Sequence, residues 1–487
     1  MKVLQVSAEI FPLIKTGGLA DVAAALPVAL NAAGGDTRLL LPGFAPIMAD
    51  LRASKVLAVL AAPWGERLVV RRGHLASLDL LAYVIDRPEL YCRPGTPYED
   101  LQHQPFADNY RRFALLGWVA SRLASGLDSD WRPQVVHSHD WHAALASAYV
   151  AFLPVQNVHV ASVYTVHNLA YDGLFAPRHF FELGLPPGAF SVDGLEFHGQ
   201  MSFMKAGLYF SDHITTVSPS YALEIQTPED GYGMDGLLRL RANALTGILN
   251  GVDESVWDPA RDPAISDPFD AHNTEGKRRC KAWLRQELGL AVQNDAPLFG
   301  IVSRITEQKG LHLVLNVLDE LLAQGGQLVM MGEGDPEMEA AFRQRALASP
   351  QAVSVHIGYN ERFAHRIFAA TDVTLVPSSF EPCGLTQLYG LKYGSLPLVH
   401  HVGGLADTVV DCTLEDLANE TANGFVFYRF DAQGLRRAMS RAFALYARKA
   451  EWRAVRKRAM SQPLGWDKAA AQYVNLYRKL CPEPFQN

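Results

Sequence analysis

Short apolar runs alternate with longer amphipathic stretches along this chain, the pattern of βαβ units around parallel sheets. It is sharpest over residues 297–410. There residues 298–302 predict a strand, and Leu311, Val314, Leu315, Leu318, Leu321 and Leu322 form one helical stripe that Gly325-Gly326 ends. Strands over 327–331, 353–357 and 373–377 then alternate with helices from Pro336 and over 361–370, which predicts a doubly wound α/β domain. The first half shows the same pattern less regularly, with strands expected at 2–7, 38–41, 78–85, 135–138 and 161–166. Residues 466–480 predict a terminal helix whose docking partner the pattern does not name.

A chain of 487 residues exceeds what one hydrophobic core usually serves, so two large domains are expected. Pro- and Asp-rich sequence over 258–270 and around Pro297 puts the change near residues 246–252. One pentapeptide links the halves: Gly17-Gly18-Leu19-Ala20-Asp21 recurs as Gly403-Gly404-Leu405-Ala406-Asp407, each copy opening a helical pattern. Adjacent glycines before a helix can present backbone N–H groups to an anion. Two such loops, one per domain, suggest a ligand held in a cleft between them.

Composition narrows the classes. A formal net charge of −7 argues against a general nucleic-acid or membrane-surface binder, so any anionic ligand must meet locally placed cations. Cys92, Cys280, Cys383, Cys412 and Cys481 are scattered without C-x-x-C pairs, which indicates neither a disulfide framework nor a structural zinc site. The first residues read as a buried strand rather than a signal peptide, and no apolar run is long enough to span a bilayer. A soluble, cytoplasmic protein is expected.

Cations stand where open α/β sheets bind ligands. Lys15 precedes the first Gly-Gly, Arg304 follows the strand at 298–302, and Lys309 precedes the next helix. Arginine can chelate two phosphate oxygens and lysine can stabilise a departing diphosphate. After the strand at 373–377, Gly384, Leu385 and Thr386 can offer amides to a phosphate at a helix start. Glu381, one turn earlier, is read either as a sugar-binding carboxylate or as an N-cap or surface group. Cys383 reads as packed or ligand-lining. The cluster His137-Ser138-His139-Asp140-Trp141-His142 invites a metal reading. Asp140, however, reads as the N-cap of a helix over 141–152, an arrangement expected to send His137 and His139 to opposite strand faces. A polar sugar-binding strand end is the better reading. His167 and Asn168 end a further strand with two hydrogen-bonding side chains.

These motifs come together in one family. K-T-G-G-L (15–19), G-T-P-Y (95–98), D-N-Y-R-R-F (108–113), H-D-W-H (139–142), Y-T-V-H-N (164–168), G-Y-G-M-D-G (231–236), L-N-G-V-D (249–253), S-R-I-T-E-Q-K-G (303–310), F-E-P-C-G-L-T-Q-L-Y-G-L-K-Y-G (380–394) and G-G-L-A-D-T (403–408) span nearly the whole chain. In this order they closely resemble bacterial glycogen synthases and plant starch synthases.

The resemblance implies two Rossmann-like domains facing a deep cleft, the GT-B architecture: an acceptor-side domain over 1–246, a donor domain over 247–460, and a helix over 461–487 crossing back to the first. It implies retaining transfer of glucose from ADP-glucose to the non-reducing end of glycogen or a maltooligosaccharide, with no metal or other cofactor. Carried over by motif, Arg304 and Lys309 hold the diphosphate with the amides of Gly384 to Thr386, while Lys15 and Gly18 face the donor. Tyr359 stacks on adenine. Glu381 contacts the transferred glucose, with His167 beside it as a catalytic residue. Asn168, Asp140, His142, Asn250, Tyr98 and Cys383 line the sugar and acceptor side. Ser379 and the pair His400-His401 stand where relatives commonly carry arginines, and Val402 where a threonine is usual. The rival readings are a UDP-glucose transferase of the same architecture, a glucan-binding protein without turnover, and a dinucleotide oxidoreductase. The last lacks a G-x-G-x-x-G after the first strand.

Overall fold

The computed structural model describes residues 1–154, 159–292 and 295–481, which divide into two compact units. The first comprises residues 1–250 together with the chain from Trp466 onward; the second is Gly251–Gly465.

The first unit is built on β1 (Lys2–Val6), β2 (Asp36–Pro42), β3 (Leu51–Ala61), β4 (Arg67–Leu75), β5 (Leu80–Asp86), β6 (Val135–His139) and β7 (Ala161–Val166). A small sheet follows, of β8 (Leu174–Phe175), β9 (Glu196–Phe197) and β10 (Gln200–Ser202), and then β11 (His213–Thr216) and β12 (Leu245–Gly247). The main sheet runs β12-β11-β7-β6-β1-β2-β5-β4-β3. It is parallel from β12 to β5, with β4 and β3 added antiparallel. β1 and β6 are buried over almost their whole length, as strands covered on both faces must be. Chain order reverses across β1, so the carboxyl ends of β1 and β6 form a switch point where such sheets bind ligands.

The antiparallel hairpin of β3 and β4 was not among the expected strands. Residues 52–56 of β3 are exposed, so this edge strand carries no buried apolar run to announce it. The terminal helix Asp467–Leu480 docks on the first unit, burying Tyr473 and Tyr477 with Val3, Leu26, Leu30 and Ile248.

The second unit holds β13 (Leu298–Val302), β14 (Gln327–Gly332), β15 (Val353–Ile357), β16 (Val373–Val376), β17 (Leu396–His400) and β18 (Phe425–Phe427). All are parallel in the order β15-β14-β13-β16-β17-β18, the doubly wound arrangement. The switch point falls between β13 and β16. Gly300 on β13 shows why the packing is tight, since a Cβ there would meet the Thr371 methyl at 2.7 Å. Among the described residues no helix is long and apolar enough to cross a membrane.

Candidate active site

In the second unit the loops after β13 and β16 lie against each other. The Ser379 N–H and hydroxyl both donate to the Gln308 carbonyl, at 2.8 and 3.1 Å, and the Gln308 amide donates to the Phe380 carbonyl at 3.2 Å. This cross-bonding delivers Lys309 to Glu381. The Lys309 ammonium donates to Glu381 Oε2 at 2.6 Å, and the Ser378 hydroxyl donates to the same oxygen at 2.8 Å. Glu381 is buried, so it is neither an exposed carboxylate nor the cap of the following helix, whose N-cap position is Leu385. The pair lines a small recess with Val302, Ser303, Ser378 and Thr386.

Gly310 and Gly384 shape this corner. Both have positive φ, and a Cβ on Gly310 would meet the Pro377 carbonyl oxygen at 2.0 Å. Gly404 abuts the same loop: its N–H donates to the Glu381 carbonyl at 3.0 Å, and a Cβ would come within 2.0 Å of the Cys383 oxygen. The two G-G-L-A-D copies differ in setting, because the first glycine of the pair has a φ of +46 at Gly403 and −162 at Gly17. Cys383 is buried, Arg304 is exposed, and Tyr359 is exposed just past β15 with its hydroxyl donating to Glu361 at 2.5 Å. His400 is buried with its ring on Phe427, and its Nδ1–H donates to the Ser378 carbonyl at 2.9 Å, bracing the loop that carries Glu381.

In the first unit a second set of polar groups gathers at the switch point. Glu9, buried just past β1, accepts the Thr16 N–H at 2.7 Å, the Thr16 hydroxyl at 2.5 Å and the Tyr98 hydroxyl. It thereby ties down the loop that carries Lys15 and Gly18. Lys15 pairs with Asp21 at 2.9 Å, and Gly18 begins the helix Gly18–Ala32. The Tyr98 ring stacks on His142 at 4.5 Å between centroids. Burial, then the Glu9 charge, pushes the Tyr98 phenol well above its ordinary value, so it stays a proton donor. His142 Nδ1 and Asn250 Oδ1 are buried with no hydrogen-bond partner among the described residues. Such orphaned atoms suit a polar ligand.

Two expectations at the histidine cluster are corrected. Asp140 does not cap a helix over 141–152. It sits at φ +57 as the first residue of the short helix Asp140–Ala143, and a second helix runs Leu145–Ala151. Its carboxylate instead accepts the His167 N–H at 3.1 Å and the Asn168 N–H at 3.4 Å, joining the ends of β6 and β7. Burial, reinforced by the Glu9 charge and opposed by these two bonds, pushes its pKa up to about 7. Nor do His137 and His139 face opposite ways. Residues two apart share a strand face, and their rings lie 4.2 Å apart. Among the described residues no group of three or more His, Cys, Asp or Glu side chains could hold a metal ion.

Comparison with known proteins turns this geometry into a family. Residues 2–240 match the family described as Starch synthase catalytic domain, and residues 287–458 match Glycosyl transferases group 1. Over 98 % of this chain and 99 % of the relative, the sequence is 62 % identical to a glycogen synthase of Variovorax paradoxus. The chain belongs to the glycogen synthase family. A second glycogen synthase, from Serratia proteamaculans, is 54 % identical over 99 % of this chain and 100 % of the relative. The catalytic domain of starch synthase IV from Arabidopsis thaliana, solved bound to ADP and acarbose, superposes with a TM-score of 0.89. It is 31 % identical and covers 98 % of this chain and 99 % of that one. A sucrose-phosphate synthase from Thermosynechococcus elongatus, 17 % identical at a TM-score of 0.56 over 98 % of each chain, shares the fold. This member of the glycogen synthase family is a glycosyltransferase of GT-B architecture that acts in glycogen synthesis.

Of the residues expected at the site, the second unit holds Arg304, Lys309, Tyr359, Glu381, Cys383, Gly384, Leu385 and Thr386. Only Lys309, Glu381 and Thr386 among them line the recess. The first unit holds Lys15, Gly18, Tyr98, Asp140, His142, His167, Asn168 and Asn250. Glu9, Gln5 and Tyr477 were missed. Glu9 had a legible signal, a carboxylate directly after the first buried strand; Tyr477 had none, because only tertiary packing brings it to β6.

Proposed function

We propose that this chain transfers glucose from ADP-glucose, with retention at the anomeric carbon, to the 4-hydroxyl at the non-reducing end of an α-1,4-glucan. The observation that carries the reading is the Lys309–Glu381 pair at 2.6 Å at the switch point of the second unit, in a chain of the glycogen synthase family.

Lys309 and Arg304 meet the negative charge that grows on the diphosphate as the C1–O bond breaks. With both bonds from Lys309 and Ser378 on Oε2, Glu381 keeps Oε1 for a glucose hydroxyl, and the amides of Gly384 to Thr386 add donors for phosphate. The acceptor oxygen forms its bond to C1 on the face the diphosphate leaves, and a diphosphate oxygen takes its proton. ADP departs carrying that proton, and no separate base is required. The chain's own cations supply the positive charge, so the reading calls for no metal or other cofactor.

On the first unit, His142, Asn168 and Asn250 offer hydrogen bonds to sugar hydroxyls, and Tyr98 adds an aromatic wall. Lys15 and Gly18 belong to the donor side, and Tyr359 stacks on the adenine. ADP and acarbose in the starch synthase IV structure support a nucleotide and a glucan as the two ligand classes. A cytoplasmic setting belongs to the same proposal.

Incorporation of labelled glucose into glycogen from ADP-glucose and from UDP-glucose, measured side by side, tests the donor. Incorporation from ADP-glucose alone, or strongly preferred, is expected. Equal or better use of UDP-glucose would overturn the donor assignment, and incorporation from neither would overturn the reaction.

A further inference from the structure

Within the first unit, a chain of hydrogen bonds runs from the terminal helix to His167 through residues that no step above uses. Tyr477 of the helix Asp467–Leu480 reaches His137 Nδ1 at 2.7 Å. Gln5 of β1 donates its amide N–H to His137 Nδ1 at 3.1 Å and to the Tyr477 hydroxyl at 3.4 Å. His137 Nε2 continues to Thr165 at 2.5 Å, and Thr165 to Thr215 at 2.5 Å. Gln5 uses its other end on His139: its Oε1 contacts His139 Nε2, and His139 Nδ1 lies 3.0 Å from His167 Nε2. Gln5, His137, His139, Thr165, Thr215 and Tyr477 are all buried, so the bonds among them lack competition from solvent.

The donors in this chain are constrained by chemistry. Gln5 turns its amide nitrogen toward His137 and Tyr477 and its carbonyl oxygen toward His139, and an amide oxygen can only accept. The proton of His139 therefore sits on Nε2. Burial holds His139 well below its ordinary pKa, so the ring is neutral and its Nδ1 carries a lone pair. The bond to His167 must then be donated by His167 Nε2–H. Burial likewise depresses His167, whose neutral ring is left with Nδ1 as an acceptor.

We propose that His139, oriented by Gln5, is a positioning residue that locks His167 in its Nε2–H tautomer and leaves Nδ1 to accept a hydrogen bond from a ligand hydroxyl. This deepens the functional reading above and rests on it for the ligand, because a neutral acceptor suits a sugar hydroxyl and not a phosphate oxygen. A histidine without this partner would exchange between tautomers, or charge, and present a donor to the site for part of the time.

The test uses the full-length protein labelled with 15N at histidine. A long-range proton–nitrogen correlation spectrum reports which ring nitrogen of His167 is protonated, with the signal assigned by its loss in His167→Asn. In the wild type the spectrum is expected to show protonated Nε2 and bare Nδ1. In His139→Phe, which keeps the ring and removes both nitrogens, the two His167 nitrogens should move toward averaged shifts. With ADP-glucose the same variant should lose about tenfold in kcat/KM, the scale of one hydrogen bond. Gln5→Met gives the same readout from the other end of the relay. An Nδ1-protonated His167 in the wild type, which needs no variant to fold, would overturn the proposal. So would a His167 tautomer unchanged in a folded His139→Phe. A tautomer released in His139→Phe with unchanged transfer would uphold the lock and instead overturn the ligand contact proposed for His167 Nδ1.

Discussion

Asp140 couples two strand ends through one carboxyl group, and its protonation is tied to stability. Burial favours the neutral form in the folded state, with a pKa of about 7 against an ordinary value of 3.8. The folded protein thus holds a proton that the unfolded chain releases over that range. Stability from this group is present at low pH and declines as pH rises from about 4 to 7, by at most ~1.4 kcal/mol per pH unit. Asp140→Asn keeps an acceptor for the His167 and Asn168 amides without the charge, so its stability relative to wild type should rise across that window in urea titrations. A constant difference from pH 4 to 7 would contradict the burial argument. Gly404 gives a second residue-scale prediction. Gly404→Ala would push a Cβ to within 2.0 Å of the Cys383 oxygen, and the loop carrying Glu381 must shift to make room. The variant should lose about 1 to 3 kcal/mol of stability, the range for overpacking, and kcat with it. Thermal melts and transfer assays read both, whereas Gly17→Ala, with open space at its Cβ, should melt as the wild type does.

At the scale of elements, one buried ion network holds the second unit's sheet to its flanking helices. Asp372, just before β16, accepts from Lys281 of the helix Glu275–Glu287, from Arg456 of the helix Lys449–Met460 at 2.9 Å, and from the Leu298 N–H at 3.0 Å. Burial opposes the carboxylate, but Lys281 and Arg456 outweigh it and hold its pKa down to about 2. Its stabilisation is complete above the ordinary pKa of 3.8 and is lost as pH falls from there toward 2. Asp372→Ala leaves the buried Lys281 and the half-buried Arg456 without their carboxylate and should cost about 3 to 5 kcal/mol in denaturant titrations. A loss below about 1 kcal/mol would place the network among surface pairs in worth.

The parallel strands at both sheet centres were legible because strands covered on both faces need continuous apolar runs. The β3–β4 hairpin was not, since an edge strand half in water carries a broken pattern. The same limit applies at the site. Lys309 and Glu381 were both readable as residues after a strand, but their bond depends on β13 and β16 being neighbours, a fact of sheet order. The error over His137 and His139 was one of strand period, since residues two apart share a face, and that over Asp140 came from expecting its side chain to cap its own helix. The residue takes a left-handed backbone and serves the neighbouring loop, a conformation that local propensity disfavours for any residue but glycine and a few short polar ones.

At the scale of the whole molecule, we propose that glucosyl transfer rests on Lys309 and Glu381, a lysine and a glutamate at one sheet switch point. Neither residue packs a core, so replacing either should leave both units folded. The measurement that bears most directly on this is the rate of glucose incorporation from ADP-glucose into glycogen by Lys309→Met and Glu381→Gln, with circular dichroism and melting temperature taken on the same samples. Both variants are expected to remain folded, with a lowered melting temperature because a buried ion pair is broken, and to lose at least about 100-fold in kcat, the scale for removing a group that stabilises developing charge. Near wild-type turnover in either folded variant would contradict the account.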